Sequence, residues 1–197
     1  MKLAVFASGS GSNFQAVADA AAENRIDAGI AVLVCDKPDA CVVERAEAMN
    51  IPVFSFRPKN YENKAAFEQE IVEELQKKEV DLIVLAGYMR LVGDTLLTAF
   101  QKRMINIHPS LLPAFPGLNA VEQAWEAGVK VTGVTVHEVD QGMDSGTIIA
   151  QEAVAVKPSD SLASLTKAVQ AVEHRLYPDT IQFLLRERLS QGGAMHQ

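Results

Sequence analysis

The sequence predicts an α/β fold: a doubly wound, mostly parallel sheet flanked by helices that becomes mixed toward its carboxyl end. Three observations predict it. Short apolar runs alternate with helical patterns through residue 108, a glycine-rich turn joins the first strand to the first helix, and two β-rich runs follow with only a polar loop between them. Strands separated by helices need crossover connections and run parallel, whereas the two late strands read as antiparallel additions.

Residues 3–6 form an uninterrupted apolar run, the pattern of a strand buried on both faces, and the turn 8–12 leads into a helix from 13 to about 23. A second strand at 30–34, a helix at 40–49 and a short strand at 52–54 continue the alternation. Phe67, Ile71 and Leu75 recur four apart and trace an amphipathic helix; residues 82–85 are a fully buried strand ending at Gly87. A helix at 94–100 precedes the strand 104–108. Residues 129–137 and 147–156 flank the polar loop 140–146. Leu162, Leu165, Val169, Val172 and Leu176 then give a helical stripe, within 161 to about 188, that should pack back on the sheet. No repeat or linker interrupts the chain, so one domain spans 1–190, and the tail 191–197 should fray.

The chain has 197 residues, 48% of them hydrophobic and 22% charged, an ordinary globular composition. Its formal charge of -7 argues against a broad nucleic-acid footprint, while a small anionic substrate stays compatible. Apolar stretches are strand-length and the amino terminus lacks a signal-peptide pattern, so a cytoplasmic protein without membrane contact is expected. Cys35 and Cys41 form neither a CxxC pair nor a zinc knuckle and read as reduced, structural thiols. His108, His137, His174 and His196 form no HExxH, and no metal is expected.

The richest segment is 105–113. Alternation along its strand puts Asn106 and His108 on one face, with Met104, Ile105 and Ile107 keeping the surroundings apolar. An amide donor beside an imidazole suits acyl chemistry, since Asn stabilises developing negative charge on oxygen and His exchanges protons near neutrality. A carboxylate from the acidic loop, Asp140 or Asp144, would favour the imidazolium. Taken alone, that loop also reads as a solvated turn, and it lacks the ligand series of a calcium-binding EF-hand.

The turn Ser8-Gly9-Ser10-Gly11-Ser12-Asn13 opens a helix, where free backbone N–H groups attract a phosphate. Gly9-x-Gly11 resembles the start of a dinucleotide fingerprint, but Phe14 stands at the third glycine position and the Walker lysine is missing. Asp36, after the second strand, is placed as a ribose-binding acid would be. A tight turn capped by Ser12 or Asn13 is the structural alternative. Gly87-Tyr88-Met89-Arg90-Leu91-Val92 follows a buried strand, as core or as an apolar slot for a flat heterocycle read by backbone groups. Gln170 and Glu173 share a helical face, which by default is solvated.

Together, residues 8–13, Gly87-Tyr88-Met89-Arg90, Asn106-Ile107-His108-Pro109-Ser110-Leu111-Leu112-Pro113 and Asp140-Gln141-Gly142-Met143-Asp144-Ser145-Gly146 resemble the folate-dependent formyltransferase family, over 1 to about 188. The phosphate turn narrows the likeness to the phosphoribosylglycinamide (glycinamide ribonucleotide) formyltransferases. The resemblance implies a Rossmann-like formyltransferase fold and transfer of a formyl group from 10-formyltetrahydrofolate, a cosubstrate, to glycinamide ribonucleotide in purine biosynthesis. It implies that Asn106, His108 and Asp144 are catalytic, and that Gly11, Ser12 and Asn13 bind the phosphate, with Gln170 and Glu173 on the rest of that substrate. Lys64, Met89, Arg90, Leu91 and Val92 would contact the folate, with Asn106, Asp140, Gln141, Gly142, Met143 and Asp144. A cis bond at Leu112-Pro113 is also implied. Asn119 and Thr147 depart from the residues, His and Pro, that many relatives carry there.

Small-molecule substrates are thus expected, in a monomer or homodimer. Within the same group, a methionyl-tRNA formyltransferase would bring an extra carboxyl-terminal domain and more positive charge. A formyltetrahydrofolate hydrolase, the nearest rival, usually carries an amino-terminal regulatory domain, whereas Met1 lies just before the first strand. A nucleotide-binding oxidoreductase would use Gly9-x-Gly11 and Asp36 but leaves Asn106, His108 and Asp144 unexplained. A non-catalytic ligand sensor would keep the pocket without turnover.

Overall fold

The computed structural model describes residues 1–193, with side chains through residue 187. Seven strands, β1 (Lys2–Ala7), β2 (Gly29–Cys35), β3 (Val53–Ser55), β4 (Leu82–Leu85), β5 (Met104–His108), β6 (Val131–Glu138) and β7 (Ile148–Ala155), form one sheet in the order β3-β2-β1-β4-β5-β6-β7. The pairs from β3 through β5 are parallel, while β5–β6 and β6–β7 are antiparallel. The expected mixed, doubly wound sheet is therefore the one observed. Its strand order reverses between β1 and β4, and ligands of such sheets bind outside the carboxyl ends there.

Six α-helices cover the two faces: α1 (Ser12–Ala22), α2 (Cys41–Ala48), α3 (Lys64–Lys77), α4 (Asp94–Ala99), α5 (Ala120–Glu126) and α6 (Leu162–Gly193). Alternation along β1 builds both cores. Leu3 and Val5 pack in one apolar layer with Phe14 and Val17 of α1 and Leu165, Val169 and Ile181 of α6. Ala4 and Phe6 pack in the other with Phe67, Ile71 and Leu75 of α3 and Phe100. The periodicity of two in the strands and of about four in α3 thus meets on the same sheet.

The proline-bearing stretch after β5 holds an element that its sequence does not announce. Helix α5, seven residues long, fully buries only Ala120 and Ala124, with Val121 and Trp125 partly buried against the core, too short a stripe to read. Helix α6 runs past Pro178, and its backbone continues beyond residue 188 to Gly193. Of the tail expected to fray, 194–197 lies outside the described residues. Within α6, the buried Tyr177 hydroxyl sits 2.7 Å from the Leu85 carbonyl and 3.2 Å from that of Ile105, tying the helix to the end of β4 and to β5. Among the described residues no helix is long and apolar enough to cross a membrane.

Candidate active site

One cavity of about 720 Å³ opens at the carboxyl ends of β4 and β5 and gathers nearly all the residues singled out from sequence. Asn106 and His108 line it from β5, Ser12 and Asn13 from the start of α1, and Gln170 and Glu173 from α6. Met89, Arg90, Leu91 and Val92 line it from the β4–α4 loop, and Asp140, Gln141, Gly142, Met143 and Asp144 from the β6–β7 loop. Lys64 is the exception. It is exposed at the first position of α3, behind Gly93 and beside Glu68, and does not line the cavity.

Gly11 does not line it either, yet it shapes the turn that does. Its backbone is left-handed at φ 76, and an added Cβ would sit 2.5 Å from Val42 Cγ2, so both conformation and space require glycine. No side chain caps α1. The alternative of a turn capped by Ser12 or Asn13 is thereby set aside, and the first helical N–H groups are left for an anion.

His108 is buried at the end of β5 with both ring nitrogens facing oxygens. Nε2 lies 2.8 Å from the Phe115 carbonyl and Nδ1 lies 3.4 Å from Asp144 Oδ2. The carbonyl is an acceptor, so Nε2 carries a proton, while Nδ1 lies at ion-pair distance from the carboxylate without a hydrogen bond among the described residues. The loop that follows is held in place by Thr135, which stands opposite His108 on β6. Its hydroxyl accepts from Leu112 N at 3.0 Å and donates to the Ser110 carbonyl at 2.7 Å. The Leu112–Pro113 bond in this loop is cis, and Phe115 is left-handed at φ 53.

Asp144 is also left-handed, at φ 52, and its Oδ2 accepts from Gly117 N at 2.8 Å. Burial opposes its ionisation, but the His137 imidazole, the Gly117 N–H and the charge of His108 outweigh burial and hold its carboxyl below the usual range. Asp144 therefore stands as an anion beside His108. Asn119, one of the two departures, adopts the left-handed region at φ 57 before α5 and lines the same cavity. Thr147, the other, receives Glu138 N on its carbonyl at 2.8 Å and supports the base of the loop.

His137 was not among the sequence candidates, although it lies in this cavity wall. Antiparallel pairing sets it directly opposite Asn106. Its Nδ1 is 2.7 Å from the Glu138 carbonyl and so carries the proton, leaving Nε2 to accept from Asn106 Nδ2 at 3.2 Å. That bond orients the Asn106 amide and leaves its second N–H for a ligand. His137 Nε2 also lies 3.7 Å from Asp144 Oδ1, too long for a hydrogen bond. The signal was the polar pair Thr135 and His137 on one face of a valine-rich strand.

Glu173 is buried on α6, and its Oε1 accepts from Asn13 Nδ2 at 3.3 Å. Burial pushes its carboxyl up to about 7, against that one hydrogen bond. The folded protein therefore holds this proton more tightly than the unfolded chain does. The stability this confers is full below the ordinary carboxyl value of 4.5 and is lost as pH rises through about 7. Glu173→Gln should flatten that decline, by up to roughly 3 kcal/mol across the interval. Denaturant melts of both proteins at several pH values measure it, and parallel curves would show that Glu173 titrates as it does in the unfolded chain.

Asp36, the residue a ribose-binding reading needs, is buried and engaged by Arg90 Nε at 2.8 Å. Among the described residues no group of three or more His, Cys, Asp or Glu is arranged to hold a metal ion.

A family model described as formyl transferase matches residues 1–181. The chain is 60% identical over 184 residues to the phosphoribosylglycinamide formyltransferase of Bacillus subtilis (strain 168), covering 93% of this chain and 94% of that protein. Its fold matches the crystal structure of phosphoribosylglycinamide formyltransferase from Bacillus halodurans with a TM-score of 0.91 at 56% identity, over 94% of this chain and 95% of that one. Glycinamide ribonucleotide transformylase 1 from Geobacillus kaustophilus matches with a TM-score of 0.91 at 55% identity, over 93% and 98%.

Proposed function

The chain belongs to the formyl transferase family, and from that premise we propose that it transfers the formyl group of 10-formyltetrahydrofolate to the primary amine of glycinamide ribonucleotide. Formylglycinamide ribonucleotide and tetrahydrofolate are the products of this purine-biosynthesis step. One observation carries the reading: Asn106, His108 and Asp144 meet in a single cavity whose wall also holds the phosphate turn of α1 and the apolar β4–α4 loop. The B. subtilis relative bears the name of the same activity.

The uncapped N–H groups of α1 take the nucleotide phosphate, and Gln170 and Glu173 take the ribose and glycinamide portion. Exposed Met89, Leu91 and Met143 offer apolar area to the flat ring of the folate, with the 140–144 loop beside it. The amine nitrogen attacks the formyl carbon, and the carbonyl electron pair moves onto oxygen. The free N–H of Asn106 and the Nδ1–H of His108 hold that oxyanion, because Nε2 is committed to Phe115. Collapse breaks the bond to N10, which takes a proton as the amine loses one. Asp144 keeps His108 charged during attack and relays that proton, directly or through water.

The oxidoreductase alternative loses its acid, since Asp36 is sealed behind Arg90. The test follows tetrahydrofolate release from 10-formyltetrahydrofolate by absorbance, with and without glycinamide ribonucleotide, beside a His108→Ala control. Release that requires the nucleotide and disappears in the control is the expected result. Release without nucleotide would make the protein a hydrolase, and no release from folded protein would overturn the transferase.

A further inference from the structure

The loop 87–93 supplies much of the cavity wall; Tyr88 and Val92 pack against the core, Tyr88 edge-on to the Phe6 ring at 5.3 Å, but Met89 and Leu91 are 59% and 55% exposed. The stretch 89–91 therefore has little apolar packing of its own to order it. It is nevertheless tied down from behind by polar groups. Ser8 N donates to the Gly87 carbonyl at 3.0 Å, and Ser8 Oγ accepts from Met89 N at 2.9 Å. Asp36 Oδ2 accepts from Arg90 Nε at 2.8 Å, with the guanidinium 5.9 Å from the centre of the Phe67 ring. Glu68 Oε1 accepts from Gly93 N at 2.7 Å. The backbone groups of Arg90, Leu91 and Val92, between these anchors, make no hydrogen bond among the described residues.

Asp36 and Glu68 are only 5% and 2% exposed, and neither lines the cavity. Burying a carboxylate is costly, and Asp36 Oδ1 has no hydrogen-bond partner among the described residues, so this arrangement is poorly explained as a device for stability. What both carboxylates do share is the loop they hold. Lys64 stands beside Glu68, behind Gly93, and its charge softens the burial of that carboxylate.

The geometry points to Asp36 and Glu68 as positioning residues that, with Ser8, hold loop 87–93 so that the backbone edge at 90–92 is preformed for the heterocycle of the second substrate. This rests on the folate reading of the cavity given above. A preformed edge binds without having to order a loop, and that saving appears in affinity for the folate alone.

Amide hydrogen exchange of the unliganded protein and steady-state kinetics test it in Asp36→Ala and Glu68→Leu, with Asp36→Asn and Glu68→Gln as variants that keep an acceptor oxygen. In the first pair, exchange within 87–93 should quicken about tenfold or more while β1 and α1 keep their rates. The KM for 10-formyltetrahydrofolate should rise about tenfold, with the nucleotide KM and kcat changing less than about threefold. The Asn and Gln variants should recover most of the loss. Unchanged exchange, equal rises in both KM values, or no recovery by the conservative variants would overturn the proposal, as would a loosened loop with an unmoved folate KM. Wild-type turnover, measured first, tells a failed transferase reading from a failed positioning role, because exchange reports on the clamp without any substrate.

Discussion

Replacing Asp144 by Asn is expected to lower turnover at saturating substrates by about two to four orders of magnitude, with the nucleotide KM changed only a fewfold. The substitution removes a charge and little else. Asn keeps an acceptor for Gly117 N, so the contact between the β6–β7 loop and the 109–119 loop survives. What is lost is the anion 3.4 Å from His108 Nδ1, the group that makes an imidazole protonated on both nitrogens favourable there. A neutral ring that keeps its Nε2 proton on Phe115 has no proton left on Nδ1 for the formyl oxygen. On the function proposed above the nucleotide phosphate sits at the start of α1, away from the Asp144 contacts to His108 and Gly117, and this is why binding and chemistry should separate. Steady-state kinetics with each substrate varied measures the split. Full turnover would remove Asp144 from the chemistry, and a parallel loss of nucleotide affinity would recast it as a residue that shapes the whole cavity.

Strands were legible where the chain buries both their faces. Leu82–Leu85 has no polar residue to spoil the signal, and its ends follow from Asp81 and Gly87. Helix α5 was not, because it is only seven residues long, its fully buried residues are two alanines, and its order is supported by contacts such as Gln123 Nε2 to the Leu118 carbonyl at 2.7 Å. The site divides along the same line. That Asn106 and His108 share a face follows from alternation within one strand. The approach of Asp144 to His108 depends on left-handed backbone at Asp144 and on Gly117, neither of which a pattern of residue types reveals. His137 enters through the register of β5 against β6, which sets it opposite Asn106, 31 positions away in sequence. Lys64 shows the converse. The resemblance implied a folate contact for it, and no pattern in the sequence says that the first position of α3 stands beside Glu68 and behind Gly93, outside the cavity lining.

Asn106→Ala is expected to reduce kcat by about a hundredfold to a thousandfold, the loss of roughly 2.7 to 4 kcal/mol that follows removal of one preorganised oxyanion donor. The donor is preorganised in two ways. Asn106 stands on a strand paired on both sides, opposite Leu85 on β4 and His137 on β6, so its backbone has little freedom. Its amide is then held by the bond from Nδ2 to His137, itself fixed by the Glu138 carbonyl. An Ala side chain leaves that pairing intact and takes away only the hydrogen-bonding group, so the variant should fold and bind both substrates nearly as well. Asn106→Asp provides the contrast. A carboxylate at this position is about the size of the amide but would repel the developing oxyanion, so its kcat should fall at least as far as that of the Ala variant. If the Asp variant retains more activity than Ala, Asn106 acts through space filling, and His108 alone carries the charge on the formyl oxygen.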